Sequence, residues 1–438
     1  MLSLSACGGG GGGSSAPLPV AGAPAPVAGL LANTAIKHVI IIVQENRSFD
    51  NLFYGYPGAD TVTSGLQHDG TSVTLHPTTL EDGQDIGHYH FSFSAASDGG
   101  KNDGFDTEHG YGVVNGMYGP TNQSPQYPYA YVPRSEAQPY FDLASRFTLA
   151  DRMFQSNSGP SFAAHQYLIA AQSQNVDEVP AKQPWGCDAP AGDAVAYLDA
   201  NGTDIAPGVF PCFDYSTLGD ELDSAGLSWR YYTSGIATQA GATFASSFDA
   251  IRHIRFGADW TRDVVSPETT VLTDIAASKL PAVSWVTPSF ANSDHPQSKS
   301  NTGPSWVASI VNAVGASPYW NSTAIFVVWD DWGGWYDHVA PRSLDLMGLG
   351  FRVPLLVISP YARKGYVSHV QHEFGSILHF TEETFGLAAL SGSDSRADDL
   401  RDCFDFTQAL VPFVKTRAPY KPEFFMRQPP SNEPPDPA

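Results

Sequence analysis

The sequence is poor in cysteine and in positive charge, and it has no long apolar run. Each shortage narrows what the chain can be. Only four cysteines occur in 438 residues: Cys7, Cys187, Cys212 and Cys403. No two of them form a Cys-x-x-Cys pair, which argues against zinc ribbons and thioredoxin-type redox sites. Lys and Arg number 23 against 45 Asp and Glu, a formal net charge of -22. So acidic a chain offers no general attraction to nucleic-acid phosphates or anionic lipid surfaces, so nucleic acid is not an expected partner. A phosphate ester remains allowed, because a bound cation can reverse the local field. Nowhere do about 18 apolar residues run together, so no membrane-spanning helix is expected. The hydrophobic content of 42% is still enough for a packed core. The length suits one large α/β domain with insertions, or two domains.

The first 34 residues read apart from the rest. Leu4-Ser5-Ala6-Cys7, followed by a run of glycines, resembles a bacterial lipobox with Cys7 as the lipidated residue. A Ser/Ala/Pro-rich stretch to about Gly29 then makes a flexible tether. Only residues 1–3 precede the box, too few for the charged and apolar regions of a signal peptide. Either the true start lies upstream or the match is accidental. The expectation is an exported protein (periplasmic, an outer-membrane lipoprotein, or secreted) with Cys7 as a candidate lipid anchor. Cys187 and Cys212 flank a Pro/Gly/Asp-rich loop and can form a disulfide in an oxidising compartment, which leaves Cys403 single. Residues 35–418 are expected to be the folded domain. The Pro-rich residues 419–438 are expected to be a tail without a fold of its own.

Within the domain, one pattern recurs: an apolar run that stops at polar residues. Residues 38–43 read as a buried parallel strand ending at Glu45-Asn46. Residues 282–287 open into Asn292-Ser293-Asp294-His295-Pro296, and 324–329 end at Asp330-Asp331. Strands are also expected over 147–153, 227–232 and 353–359, and helices over 135–145, 162–171, 218–225, 305–314 and 374–385. This is an α/β pattern with a mostly parallel central sheet flanked by helices, and with long loops, chiefly 54–123.

In open α/β sheets ligands bind outside the carboxyl ends of the strands. Two adjacent carboxylates after a buried strand are costly unless something positive neutralises them. Glu45, Asn46, Asp330 and Asp331 offer oxygen donors only, a set that favours a hard divalent ion such as Mg²⁺, Ca²⁺ or Mn²⁺. The blander readings are that Asn46 caps a helix and that Asp330-Asp331 hydrogen-bonds the backbone of Gly333 and Gly334. Ser161, after Gly159-Pro160, stands where a helix N-cap belongs. The same place suits a nucleophile, because helix amides and dipole favour an anionic phosphoryl group and a nearby metal can activate the hydroxyl. His88, His90, His295, His338, His369 and His372 fall in loops or at strand ends. There they can hold phosphate oxygens, ligate a metal, protonate a leaving group, or only brace the loop. Lys101, in a Gly-rich loop, is placed either to reach a phosphate or to sit in solvent.

Several motifs together say more. Ile41-Ile42-Val43-Gln44-Glu45-Asn46-Arg47-Ser48-Phe49-Asp50 resembles the opening signature of the bacterial phosphoesterase family of acid phosphatase A and the phosphocholine-type phospholipases C. Gly99-Gly100-Lys101-Asn102-Asp103-Gly104-Phe105 is similar to its GGKMDGF segment, Gly159-Pro160-Ser161 to its nucleophile turn, and Asp294-His295-Pro296 to its (E/D)HP segment. Trp329-Asp330-Asp331-Trp332-Gly333-Gly334-Trp335-Tyr336-Asp337-His338-Val339 resembles its most recognisable block, and Arg352-Val353-Pro354 through Ser359-Pro360 follows. The likeness spans roughly residues 35–387.

The resemblance implies an alkaline-phosphatase-like α/β fold and hydrolysis of phosphoric esters through a phosphoserine on Ser161. It implies one divalent metal ion held by Glu45, Asn46, Asp330 and Asp331, with Ser161 completing the site. The identity of the ion, Ca²⁺, Mg²⁺, Mn²⁺ or Zn²⁺, is open. His88 and His295 match residues that bind the phosphate or help the leaving group, and His338 is a weaker match. The substrate is a phosphate ester, either a small monoester or a phospholipid head group. Two departures bear on substrate preference. Phe162-Ala163-Ala164-His165 stands where the family often has Asn-Pro-Asn-Arg, and His372-Glu373-Phe374-Gly375-Ser376 where it often has Tyr-Asp-His-Thr-Ser. A sulfatase is disfavoured, since no Cys or Ser lies in a CxPxR-like context. The alternative from another class is a catalytically silent surface lipoprotein that binds a phosphorylated ligand.

Overall fold

The computed structural model describes residues 31, 34–114, 117–234, 246–429 and 431. Cys7, the lipobox and most of the expected tether lie outside the described residues. Leu31, assigned to the tether from sequence, is already buried in the core.

Eight strands form one central sheet: β1 His38–Gln44, β2 Thr148–Ala150, β3 Trp229–Tyr232, β4 Val264–Val265, β5 Val283–Val286, β6 Thr323–Trp329, β7 Leu355–Ile358 and β8 Tyr366–Ser368. Their order across the sheet is β4-β3-β5-β1-β6-β7-β2-β8. Neighbours run parallel except at β7, which is antiparallel to both β6 and β2. The expected mostly parallel α/β sheet is therefore what the chain forms. β1 and β6 are built mainly of β-branched and aromatic residues because both of their faces are covered. Val39 to Val43 and all of β6 are buried, each large side chain contributing roughly 1.5–3 kcal/mol.

The helices that cover the sheet can be assigned to faces from register. Ile41 pairs with Trp285 on one side and Phe326 on the other, so these three share a face. On that face Trp285 Nε1 donates to the carbonyl of Leu168 at 3.0 Å, and Phe326 packs on Phe380 with ring centroids 5.1 Å apart. Trp329, three residues beyond Phe326, points to the opposite face and packs on Tyr140 at 5.0 Å. The layers are thus helix, sheet, helix. The helices concerned are α1 Phe49–Phe53, α2 Gln138–Ala144, α3 Ser161–Ala170, α4 Gly303–Gly315, α5 Phe374–Phe385 and α6 Pro422–Phe425. α3 packs on α5, and α2 on α4.

Two readings need revision, and one left open for Lys101 is decided. The stretch 54–123 is not one bare loop. It contains strands of two to five residues and the helix His90–Ser97, elements too short to leave a periodicity. Up to Gln428 the Pro-rich end is not a free tail: Phe425 of α6 is buried against Trp306, and Asn292 Nδ2 donates to Gln428 Oε1 at 2.7 Å. Lys101 is exposed and paired with Asp98 at the surface. Cys187 and Cys212 form a disulfide, and Cys403 is a buried free thiol. Among the described residues no helix is long and apolar enough to cross a membrane.

Candidate active site

The site follows from one register. β1 and β6 are adjacent and parallel, with Gln44 opposite Trp329 at their carboxyl ends. The next residues of the two strands, Glu45-Asn46 and Asp330-Asp331, therefore emerge side by side. The backbone holds them there: Asp330 N donates to Gln44 O at 3.0 Å, and Asn46 N to Asp330 Oδ1 at 3.2 Å. Asn46 then turns the chain at a φ of 51°, a left-handed conformation that Asn tolerates. Asn46 is not the cap of α1, as the blander reading had it. That role belongs to Ser48, whose side chain accepts from Asn51 N. Behind Asn46 the other turn closes at Gly333, φ 61°, where any Cβ would come within 2.4 Å of Asn46 O.

Ser161 arrives from a different element. The N-cap of α3 is Pro160, and Ser161 is the first helical residue, with no side-chain cap bond at this end. The expectation that Ser161 caps the helix is corrected. Its hydroxyl is directed instead to Asp331, donating to Oδ2 at 2.9 Å. Asp331 Oδ1 accepts from Gly333 N at 2.7 Å, so the loop-bracing reading holds for this carboxylate alongside its contact with Ser161.

Glu45, Asn46, Asp330, Asp331 and Ser161 are all buried. Asn46 Oδ1 and Asp330 Oδ2 receive no hydrogen bond from the protein among the described residues. Burial and the neighbouring Glu45 push the Asp330 carboxyl well above its ordinary range. Buried oxygens without donors, gathered around crowded carboxylates, are the chemistry of a hard-cation site, and these residues fit a divalent ion.

Two histidines flank this group. His88 Nδ1 lies 2.7 Å from the Ile86 carbonyl, which can only accept, so Nδ1 carries the hydrogen. Its Nε2 lies 3.1 Å from Asn46 Nδ2, which donates to it and also to Asp331 Oδ2 at 3.3 Å. His295 has the reverse arrangement. Nδ1 accepts from Gln297 N at 3.2 Å, which leaves Nε2 as the hydrogen-bearing nitrogen of the neutral ring. The two rings meet edge to face with centroids 6.3 Å apart. Asp294 braces this turn: Oδ2 accepts from Tyr140 Oη at 2.9 Å and Trp329 Nε1 at 3.0 Å, and its carbonyl accepts from Arg47 Nε at 2.8 Å. Burial raises the Asp294 pKa to about 6, against the opposing pull of Arg47 and the two donors.

His338 belongs to another group. Its Nδ1 is 2.6 Å from Asp50 Oδ2 and its Nε2 is 3.1 Å from Asp60 Oδ1, beside the buried pair Arg352–Asp337 at 2.8 Å. His90 pairs with Ser158, His369 with Asp151, and His372 with Asp398 and Ser368. A residue that sequence reading did not single out as a site residue is His165. Its Nε2 lies 3.3 Å from Glu45 Oε1 and 3.7 Å from Asp330 Oδ2. The available signal was spacing, because four residues on from Ser161 lies the same helix face one turn later.

A narrow cavity opens beside Ser161 and His165, walled by Phe162, Trp185, Ser246 and Asp249. Burial, with Asp188 nearby, pushes the Asp249 pKa up to about 8 despite Arg255.

A sequence profile of the Phosphoesterase family matches residues 36–388. "Phospholipase C B" of Mycobacterium tuberculosis (strain ATCC 25618 / H37Rv) is 24% identical over 438 residues, covering 85% of this chain and 78% of that protein. "Hemolytic phospholipase C" of Pseudomonas aeruginosa is 25% identical over 433 residues, covering 85% of this chain and 56% of that protein. Among solved structures, a protein in the alkaline phosphatase superfamily from Vibrio parahaemolyticus superposes with a TM-score of 0.39 and 10% identity, covering 84% of this chain and 71% of its own.

Proposed function

The chain belongs to the Phosphoesterase family and is a phosphoric ester hydrolase, and from that premise we propose that it is an exported, metal-dependent phosphoesterase of alkaline-phosphatase-like fold that works through a phosphoserine on Ser161. The observation that carries the reading is the 2.9 Å bond from the Ser161 hydroxyl to Asp331, between the paired strand ends Glu45-Asn46 and Asp330-Asp331.

Glu45, Asn46, Asp330 and Asp331 would hold one divalent ion, with Ser161 Oγ completing the set. When bound, such an ion lowers the cost of the serine alkoxide and of charge on the phosphoryl oxygens. Ser161 Oγ attacks phosphorus with its proton passing towards Asp331, and the free amides at the start of α3 face the phosphoryl oxygens. Asn46 Nδ2 holds His88, and Gln297 N fixes His295 with Nε2–H as a donor. His295 can offer that N–H to a phosphoryl or leaving-group oxygen, whereas His88, with one nitrogen on the Ile86 carbonyl and the other accepting from Asn46, would do so only as an imidazolium released from Asn46. The ester P–O bond breaks and the alcohol leaves with the proton that Ser161 passed to Asp331; water then cleaves the Ser161–phosphorus bond, releasing phosphate and restoring the hydroxyl. His338, tied to Asp50 and Asp60, braces the fold in this reading.

The curated relatives are phospholipases C, which brings phospholipid head groups into the substrate class beside small monoesters such as those of acid phosphatases. Export is supported by the Cys187–Cys212 disulfide. The silent-binder alternative gains no observation. The test is a substrate panel (p-nitrophenyl phosphate, bis(p-nitrophenyl) phosphate and phosphatidylcholine) with chelator and with metals added back. Turnover of at least one ester, lost on chelation and in Ser161→Ala while the circular dichroism is unchanged, is expected. Full activity in Ser161→Ala would remove the nucleophile assignment.

A further inference from the structure

We infer that His165 is a metal ligand, which turns an oxygen-only site into a mixed nitrogen–oxygen one that prefers a borderline ion such as Zn²⁺ over Ca²⁺ or Mg²⁺. The inference rests on the metal-dependent reading above and deepens it.

His165 lies on α3 one turn after Ser161, so the helix that aims the hydroxyl at Asp331 also carries the imidazole to the other side of the same group. The ring is largely buried, with its side chain 11% exposed, and Nε2 stands between carboxylates from two different strand ends. Nε2 makes a long hydrogen-bond contact of 3.3 Å with Glu45 Oε1, while Asp330 Oδ2 at 3.7 Å lies beyond the usual N–H···O range of about 2.7–3.2 Å. The two separations are close to the spacing of donors that share one ion. Bonds of about 2.0–2.2 Å put neighbouring donor atoms roughly 3.0–3.5 Å apart. Glu45, His165 and Asp330 each offer an atom within 4.8 Å of the others, and Asp330 Oδ2 receives no hydrogen bond from the protein among the described residues.

An imidazole nitrogen changes the preference of the set. Ca²⁺ and Mg²⁺ select oxygen, whereas imidazole suits Zn²⁺ and its neighbours. A counter-ion role, with a protonated ring merely balancing Glu45 and Asp330, predicts the opposite. The ring would then be displaced when an ion enters and would leave the ion's preference untouched.

The experiment uses the full chain, stripped with chelator and titrated with Zn²⁺ or with Ca²⁺, reading bound metal by elemental analysis and affinity by calorimetry. X-ray absorption of the Zn²⁺-loaded protein reads imidazole scattering. The expected result is one ion per chain with one imidazole at about 2.0–2.1 Å. His165→Ala and the better space-filling His165→Gln should lose that imidazole signal, and the ratio of Zn²⁺ to Ca²⁺ affinity should fall at least tenfold. An ion bound by the wild type without imidazole, or with the same preference in the variants, overturns the inference and leaves the metal site standing. No ion bound to the wild type overturns the metal-dependent reading and the inference with it. The wild-type spectrum decides the matter even where a variant fails to fold.

Discussion

Asp331 receives the Ser161 hydroxyl on one carboxyl oxygen and the Gly333 amide on the other. The two bonds separate chemistry from scaffold. Asp331→Asn can keep an oxygen towards Gly333 N while presenting an amide to Ser161. Turnover is expected to fall by at least about 10²-fold, the lower end of what a positioned proton-transfer group contributes. The melting temperature should fall only modestly, by the loss of the 3.3 Å bond that Asn46 Nδ2 makes to the same oxygen. A variant within a few-fold of wild type in kcat would show that Ser161 is not activated through Asp331.

The buried pair Arg352–Asp337, with Asp50 at 3.4 Å from the same guanidinium, holds α1 to the segment between β6 and β7. Arg352→Met leaves the buried Asp337 without its cation and Asp50 with His338 alone, and loss of one partner of a buried pair costs about 3–5 kcal/mol. Urea denaturation should report a loss of that order. A loss below about 1 kcal/mol would mean that the carboxylates relax into water or take up protons cheaply.

His338 predicts a pH dependence of stability. Burial disfavours its charge, but the hydrogen bond and proximity to Asp50, with Asp337 beyond, outweigh burial and raise its pKa above the ordinary value of 6.5. A raised folded-state pKa means that the stabilisation is complete below about pH 6.5 and is lost as pH rises through the folded value. The buried acids Glu108 and Asp249, raised to about 8, act in the same direction. The readout is therefore the difference between wild type and His338→Gln. The unfolding free energy of the wild type should fall more steeply above pH 6.5, and parallel curves would contradict the assignment.

The disulfide closes a separation of 25 residues and sits beside Trp185 and Gly186 in the wall of the cavity next to Ser161. Replacing both cysteines with serine is expected to cost about 3.5 kcal/mol by loop-closure entropy. It should also raise KM more than it lowers kcat, since the wall rather than the nucleophile loosens. Equal stability with and without reductant would show that the surrounding packing holds this wall unaided.

How much was legible in sequence differed from element to element. β1 and β6 could be read because strands buried on both faces leave continuous apolar runs, and α5 was read at its observed bounds, Phe374–Phe385. That Glu45 and Asp330 stand together was not in the pattern of either strand, since their adjacency depends on which strands pair. Motif likeness supplied what periodicity could not. His165 was visible only as a departure from the family's usual residues, although its spacing from Ser161 on one helix carried the signal. Arg352 and Asp50 were opaque for a different reason. They are distant in sequence, and nothing local marks a charge that will be buried against another.

The register of β1 against β6 has a last consequence, for which changes in chain length the protein can accept. Side chains alternate between faces along a strand, so one residue inserted or deleted within 38–44 or 323–329 sends every later side chain to the wrong face. It would also carry Glu45-Asn46 or Asp330-Asp331 away from its partner in a single step. Within 54–123 the same insertion costs only a little extra chain entropy where it falls in a turn. Length variation among functional variants of this chain should therefore gather in that excursion and stop short of the two central strands.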